Sequence, residues 1–180
     1  MKTKHILASL GILLMLISCR KEEDPTESPN PWVFTYDGVE HDLKSGALIH
    51  YPSFSHSGAE NVDLLLYTKG VDLIIGSEGL PNDASGNGYI LYFECYSADS
   101  AYLSDGTYTL DTNIRALSIA TAAINPVVNG NTDLWFEVPS TQFEVIYKDG
   151  EFQIIGSGKD EANLNFDFKY KGELDWYQES

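Results

Sequence analysis

From Asn163 to Tyr170 polar and apolar residues alternate one for one. Leu164, Phe166, Phe168 and Tyr170 fall on one face, and Asn163, Asn165, Asp167 and Lys169 on the other. A period of two is that of a strand with one face buried. Upstream, Asp149-Gly150 separates two further alternating runs and has the chemistry of a two-residue type I′ turn. Folding the chain there sets Tyr147 opposite Phe152, Val145 opposite Ile154 and Lys148 opposite Glu151. Apolar partners share a face and the charged pair is complementary, so the register is self-consistent. Asp37-Gly38 gives the same arrangement, with Tyr36 facing Val39, Phe34 facing His41 and Trp32 facing Leu43.

Further strands are expected at Ala47–Tyr51, Val62–Tyr67, Val71–Ile75, Tyr89–Tyr96, Thr107–Leu110 and Leu134–Val138. Arg115 to Ala123 suits either a short helical turn or a strand. Gly76–Gly79 and Gly156–Asp160 sit where hairpin loops are expected. No long stretch combines helical spacing with caps. The fold class is therefore all-β. The expected architecture is an antiparallel β-sandwich of about ten strands, with a closed meander barrel of the lipocalin/calycin kind as the alternative.

The N-terminus changes the picture from fold to location. Lys2, Lys4 and His5 precede an uncharged run from Ile6 to Ile17. A spanning helix needs about 20 apolar residues, so this shorter run reads as the apolar part of a signal peptide over residues 1–18. It ends in Leu16-Ile17-Ser18-Cys19, which resembles the lipobox of bacterial lipoproteins. That resemblance implies cleavage before Cys19 and acylation of its thiol and amine, which anchors the chain in a membrane. Lys21-Glu22-Glu23-Asp24 resembles the signal that sends some Gram-negative lipoproteins to the cell surface. Residues 19–31 hold Pro25, Pro29 and Pro31 among polar side chains and are expected to be a flexible tether. Residues 32–180 are expected to form one domain. The location implied is the outer membrane, lipid-anchored and exposed on the surface.

Charge narrows the partners. All 27 acidic residues but only nine of the 11 basic ones follow Cys19, so the chain beyond the signal carries a formal charge of −18. Such a chain repels phosphate backbones, and nucleic acid is excluded as a partner. Cys95 is the only thiol after Cys19 and is read as a small buried residue.

Candidate chemistry is sparse. Asp83 to Glu94, DASGNGYILYFE, matches an EF-hand calcium loop letter for letter. Such a loop needs flanking helices, so that its last Glu swings back onto the ion. Here Gly76, Gly79 and Pro81 precede it and a run of β-forming residues follows. Asp83, Ser85 and Asn87 are therefore read as loop residues, with Glu94 carried off along a strand. His41 falls among aromatics, and His50 and His56 lack a third ligand at fixed spacing, so no metal is expected. No nucleophile turn or phosphate loop is present, and no catalytic site or cofactor is expected. What stands out is 11 Tyr, 8 Phe and 3 Trp, more than a minimal core needs. Tyr and Trp offer an apolar plate with a polar handle, suited to sugar rings or protein partners. Tyr92 and Trp135 are the candidate ligand-binding residues.

YLSDGTYTL (Tyr102 to Leu110), FEVIYKDGEFQIIGSG (Phe143 to Gly158) and FKYKGEL (Phe168 to Leu174) resemble the ending of small all-β surface lipoproteins of gut-dwelling Gram-negative bacteria. The resemblance supports the class and the location and transfers no activity. Three functions remain as expectations. The first is a non-catalytic surface module binding glycan or protein. The second is an assembly subunit of a surface apparatus such as a fimbria or uptake complex. The third is a barrel holding a small apolar ligand.

Overall fold

The computed structural model describes residues 32–56, 58–98 and 102–180. The segments read as signal peptide and tether, with Cys19 between them, lie outside the described residues. Thirteen strands follow in chain order: β1 (Val33–Tyr36), β2 (Val39–His56), β3 (Ala59–Thr68), β4 (Val71–Ile75), β5 (Pro81–Gly86), β6 (Gly88–Ser97) and β7 (Gly106–Leu110), then β8 (Ser118–Val127), β9 (Phe136–Glu137), β10 (Ser140–Lys148), β11 (Glu151–Lys159), β12 (Asn165–Gly172) and β13 (Asp175–Gln178). The described residues contain no helix, and the all-β class stands.

Nine strands close into a barrel in the order β1-β12-β11-β10-β7-β8-β6-β3-β2, because β1 pairs with β12 on one edge and β2 on the other. The architecture is thus the barrel rather than the sandwich. The reason lies in β2, a strand of 18 residues. Its first part pairs with β1 and its remainder with β3, with an irregularity between Leu43 and Ser45. One bent strand joins two edges that a sandwich leaves apart. At the bend sits Gly46, where a Cβ would lie 2.6 Å from the Leu174 side chain and 2.7 Å from the Leu65 carbonyl. Alternation cannot reveal this, since a sandwich and a barrel both bury one face of each strand. Outside the ring, β4 and β5 form a separate hairpin, β9 adds to β8, and β13 runs parallel to β2.

Both turn readings hold in register. Lys148 pairs with Glu151, Tyr147 with Phe152 and Val145 with Ile154. Tyr36 pairs with Val39 and Phe34 with His41, while the Leu43 amide donates to the Trp32 carbonyl at 3.0 Å. Asp37-Gly38 and Asp149-Gly150 all have positive φ, as a type I′ turn requires.

Three segments differ from expectation, and one left open between turn and strand is resolved. β12 starts at Asn165, because Asn163 takes φ +66° in a turn closed by Asp160, whose Oδ1 accepts from the Leu164 amide at 2.8 Å. Of the ambiguous stretch, Ser118 onward is strand and Leu117 is a left-handed turn residue. The strand expected at Leu134–Val138 shrinks to Phe136–Glu137 behind a turn in which Asn131 Oδ1 accepts from the Asp133 amide. Gly156 to Lys159 is the end of β11, not a hairpin loop. A Cβ on Gly156 would stand 2.4 Å from Phe168 Cζ, so here glycine admits a neighbouring ring.

The barrel interior is filled. Phe93 and Phe143 have ring centroids 5.1 Å apart, Phe93 and Phe168 5.3 Å, and Tyr108 stacks on Phe143 at 5.1 Å. Leu43, Leu64, Leu91 and Ile154 complete this core, together with Cys95, whose thiol pKa is pushed up by burial. Most outward positions on β10 and β12 are polar, among them Gln142, Glu144, Asp167 and Lys171, with Ile146 an exception. That is the inverse of a membrane-spanning barrel, whose outer band is apolar.

Candidate binding face on the outside of the barrel

The wall formed by β3, β6 and β8 is apolar on both sides. Inward go Val62, Leu64, Leu66, Leu91 and Phe93; a second small core of Tyr67, Val71, Ala84, Ile90 and Val127 forms against the outer surface. Its cover is the β4–β5 hairpin, which brings Val71 and Ala84 onto the wall. Gly86, at φ +95°, lets the hairpin cross close over Gly70, where a Cβ would meet the Gly70 carbonyl at 1.9 Å.

Between hairpin and wall lies a cleft of about 190 Å³. Leu65, Leu73 and Ile90 give it an apolar floor; Asn82, Asp83 and Thr132 give it polar edges; Tyr92 and Trp135 close one side. The Tyr92 and Trp135 rings lie 5.4 Å apart. These two sequence candidates, 43 residues apart in the chain, are therefore neighbours at one cleft. Trp135 is 44% exposed, while Tyr92 is half-buried. The loop that delivers Trp135 is tied down at several points. The Gly130 amide donates to the Gly86 carbonyl at 2.9 Å, the Asn129 amide to Asn87 Oδ1 at 2.9 Å, and Thr132 Oγ1 to Asp83 Oδ1 at 3.2 Å.

This geometry also places the EF-hand-like residues. Asp83 and Ser85 lie in strand β5, not in a loop as expected, and Asp83 Oδ1 accepts from Ala84 and Thr132. Asn87 does occupy the connection to β6, and Glu94 is well along β6. Strands stand where an EF-hand has helices.

On the other side of Tyr92 is a second cleft of about 290 Å³, lined by Tyr51, Phe54, Asn61, Asp63, Tyr92 and Glu94. Asp63 on β3 is paired directly across from Glu94 on β6. Asp63 is only 6% exposed. Tyr92 Oη donates to its Oδ2 at 3.1 Å, while Oδ1 is buried without a hydrogen-bond partner. Burial pushes the Asp63 carboxyl up to about 7; the Tyr92 hydrogen bond opposes this and the neighbouring Glu94 adds to it. Glu94 Oε1 accepts from Asn61 Nδ2 at 3.2 Å and from Tyr96 Oη at 3.4 Å. Sequence reading missed this cleft. Asp63 and Glu94 sit among apolar residues of two strands expected from the start, but only the register brings them together.

Of the three singled-out histidines, two are packed and one is exposed. His41 lies 4.8 Å from the Tyr89 ring and 5.9 Å from Phe34. His50 is buried and its Nε2 is 3.3 Å from Glu60 Oε2, and His56 is exposed at the end of β2.

The chain matches none of the protein-family models, curated proteins or solved structures with which it was compared.

Proposed function

We propose that this protein is a lipid-anchored surface module that binds glycan without catalysis, through the cleft at Tyr92 and Trp135. The observation that carries the reading is the pairing of those two rings, one half-buried and one exposed, over a cleft edged by Asn82, Asp83 and Thr132. A sugar ring presents apolar C–H faces and hydroxyl edges; an aromatic plate and a rim of amide, carboxylate and hydroxyl groups complement both. A filled barrel favours this outer cleft over an apolar ligand inside, which would have to displace Phe93, Phe143 and Phe168. The anchor reading rests on Leu16-Ile17-Ser18-Cys19, and surface display on Lys21-Glu22-Glu23-Asp24. A glycan array probed with the wild-type protein and with Trp135→Ala tests the binding. The expected result is a set of bound glycans lost in the variant. Unchanged glycan binding by Trp135→Ala contradicts the site. Cys19→Ala is expected to leave the membrane fraction, and retention after a carbonate wash contradicts the anchor.

A further inference from the structure

We propose that the second cleft, floored by Asp63 and Glu94, binds a protonated primary amine held by the two carboxyl groups and framed by the rings of Tyr51, Phe54 and Tyr92. The inference goes beyond the glycan reading and rests on a cleft of its own, although Tyr92 is a shared wall. Two carboxyl groups face each other across adjacent strands, and no ion pair among the described residues engages either of them. Asp63 Oδ1 is an acceptor without a donor, more than nine-tenths buried at the side of the cleft. Natural structures leave such an atom unpaired rarely, because its desolvation is not repaid.

A hydroxyl group satisfies the orphan oxygen but leaves two like charges opposed. An ammonium supplies both the donor and the compensating charge. The walls agree. Tyr51 and Phe54 meet edge to face at 6.2 Å, and Tyr92 closes the other side. Aromatic faces attract cations, and the formal −18 of the chain beyond Cys19 draws them in. Asn61 and Tyr96 hold Glu94 in place through its Oε1.

The amine has two possible sources, an amino sugar or a lysine side chain, and the chemistry at the cleft is the same for both. Binding carries a pH signature that neutral ligands lack. The titratable groups facing Asp63 are Glu94, Tyr92 and Tyr96 of β6 and Tyr51 of β2, with Glu179 near Tyr51 and the Cys95 thiol behind them on the core face. The tyrosines and the thiol are all pushed upward, chiefly by burial, and stay neutral over the range used. Asp63, pushed up to about 7, gains its charge within that range.

The test is titration of the purified protein with propylammonium, followed by amide NMR at Asn61, Asp63 and Glu94. Parallel arms use glucosamine, Nα-acetyl-lysine amide, and the neutral controls propanol and glucose. Propylammonium stays protonated to about pH 10. Saturable shifts are expected with the amines and not with the controls. For propylammonium and the lysine amide, which stay protonated there, affinity is expected to rise about tenfold or more between about pH 5.5 and about pH 8.5. Asp63→Asn and Glu94→Gln are each expected to weaken binding about tenfold. The tighter of glucosamine and the lysine amide, compared at about pH 6.5 where both are protonated, identifies the source. Equal binding of the neutral controls, an affinity flat or falling with pH, or no saturable binding overturns the proposal. So does wild-type affinity in both variants. If a variant does not fold, the wild-type pH profile and the neutral controls decide alone.

Discussion

Two walls of the same barrel use their outer faces in opposite ways. In β10, β11 and β12 the chain mostly alternates: Phe143, Val145, Phe152, Ile154, Phe166 and Phe168 point in, while Gln142, Glu144, Ser157 and Asp167 meet water, with Ile146 and Ile155 as exposed apolar exceptions. In β3 and β6 most positions on both faces are buried or half-buried. Leu64 and Phe93 face the barrel core, and Leu65, Ile90 and Tyr92 lie under or beside the β4–β5 hairpin. The first wall holds the barrel together, and the open clefts on its outside, of about 510 and 400 Å³, are lined chiefly by polar residues such as Gln142, Ser157 and Asp167 and hold no exposed aromatic ring. The second carries an outer layer that covers it incompletely, and both aromatic clefts lie where that cover stops. With the interior filled, the proposed ligand site is this partly covered outer face.

The comparison breaks most sharply under truncation of each wall's central ring. Phe143→Ala removes a side chain in contact with Phe93, Tyr108 and Phe168. A loss of about 3–5 kcal/mol is expected, from the lost burial plus the cavity left behind. Chemical denaturation measures it, and a loss below about 1 kcal/mol contradicts the assignment of this wall as the structural one.

A smaller effect separates stability from binding at Asp63. Its carboxyl is raised from 3.8 to about 7 by burial, so the folded protein holds a proton that the unfolded chain releases at lower pH. The sign follows directly. Asp63 costs nothing below about pH 4, and the penalty grows as pH rises toward 7. At roughly 1.4 kcal/mol per pKa unit, the full penalty is at most about 4 kcal/mol. Asp63→Asn is expected to match wild type in stability near pH 4 and to exceed it by about 1–3 kcal/mol near pH 8. Thermal melts at the two pH values check this. A variant less stable than wild type at pH 8 shows instead that the carboxylate supports the fold.

The smallest stability effect is expected at Trp135. Its ring is nearly half exposed and its loop is held mainly by backbone and polar contacts at Asn129, Gly130 and Thr132. Trp135→Ala is expected to cost about 1 kcal/mol or less. A cost near that of Phe143→Ala makes Trp135 a structural residue.

The same two walls explain what the sequence could reveal. Strict alternation and Asp149-Gly150 define β10 to β12 down to the pairing of Lys148 with Glu151, because each strand there has one wet face. Closure was not legible, since it depends on where β2 bends, and Gly46 signals that only once Leu174 and Leu65 are seen beside it. Gly156 looked like a loop residue because its missing side chain is supplied by Phe168, from another strand. Tyr92 and Trp135 stood out singly as surplus aromatics, and the tie of the Asn129–Thr132 turn to Asn87, Gly86 and Asp83 is what makes them neighbours. Glu94 stands out only as the last position of the EF-hand-like loop, and neither it nor Asp63 is marked as half of a pair among 27 acidic residues, because cross-strand register is a property of the sheet.

The most direct test of the claim that ligand binds on the partly covered outer wall is an amide NMR map of the purified protein with the best-bound array glycan. Perturbations are expected to concentrate at residues 81–94 and 125–135, with residues 140–170 unmoved. Perturbations confined to residues 140–170, or none at saturating glycan, contradict it.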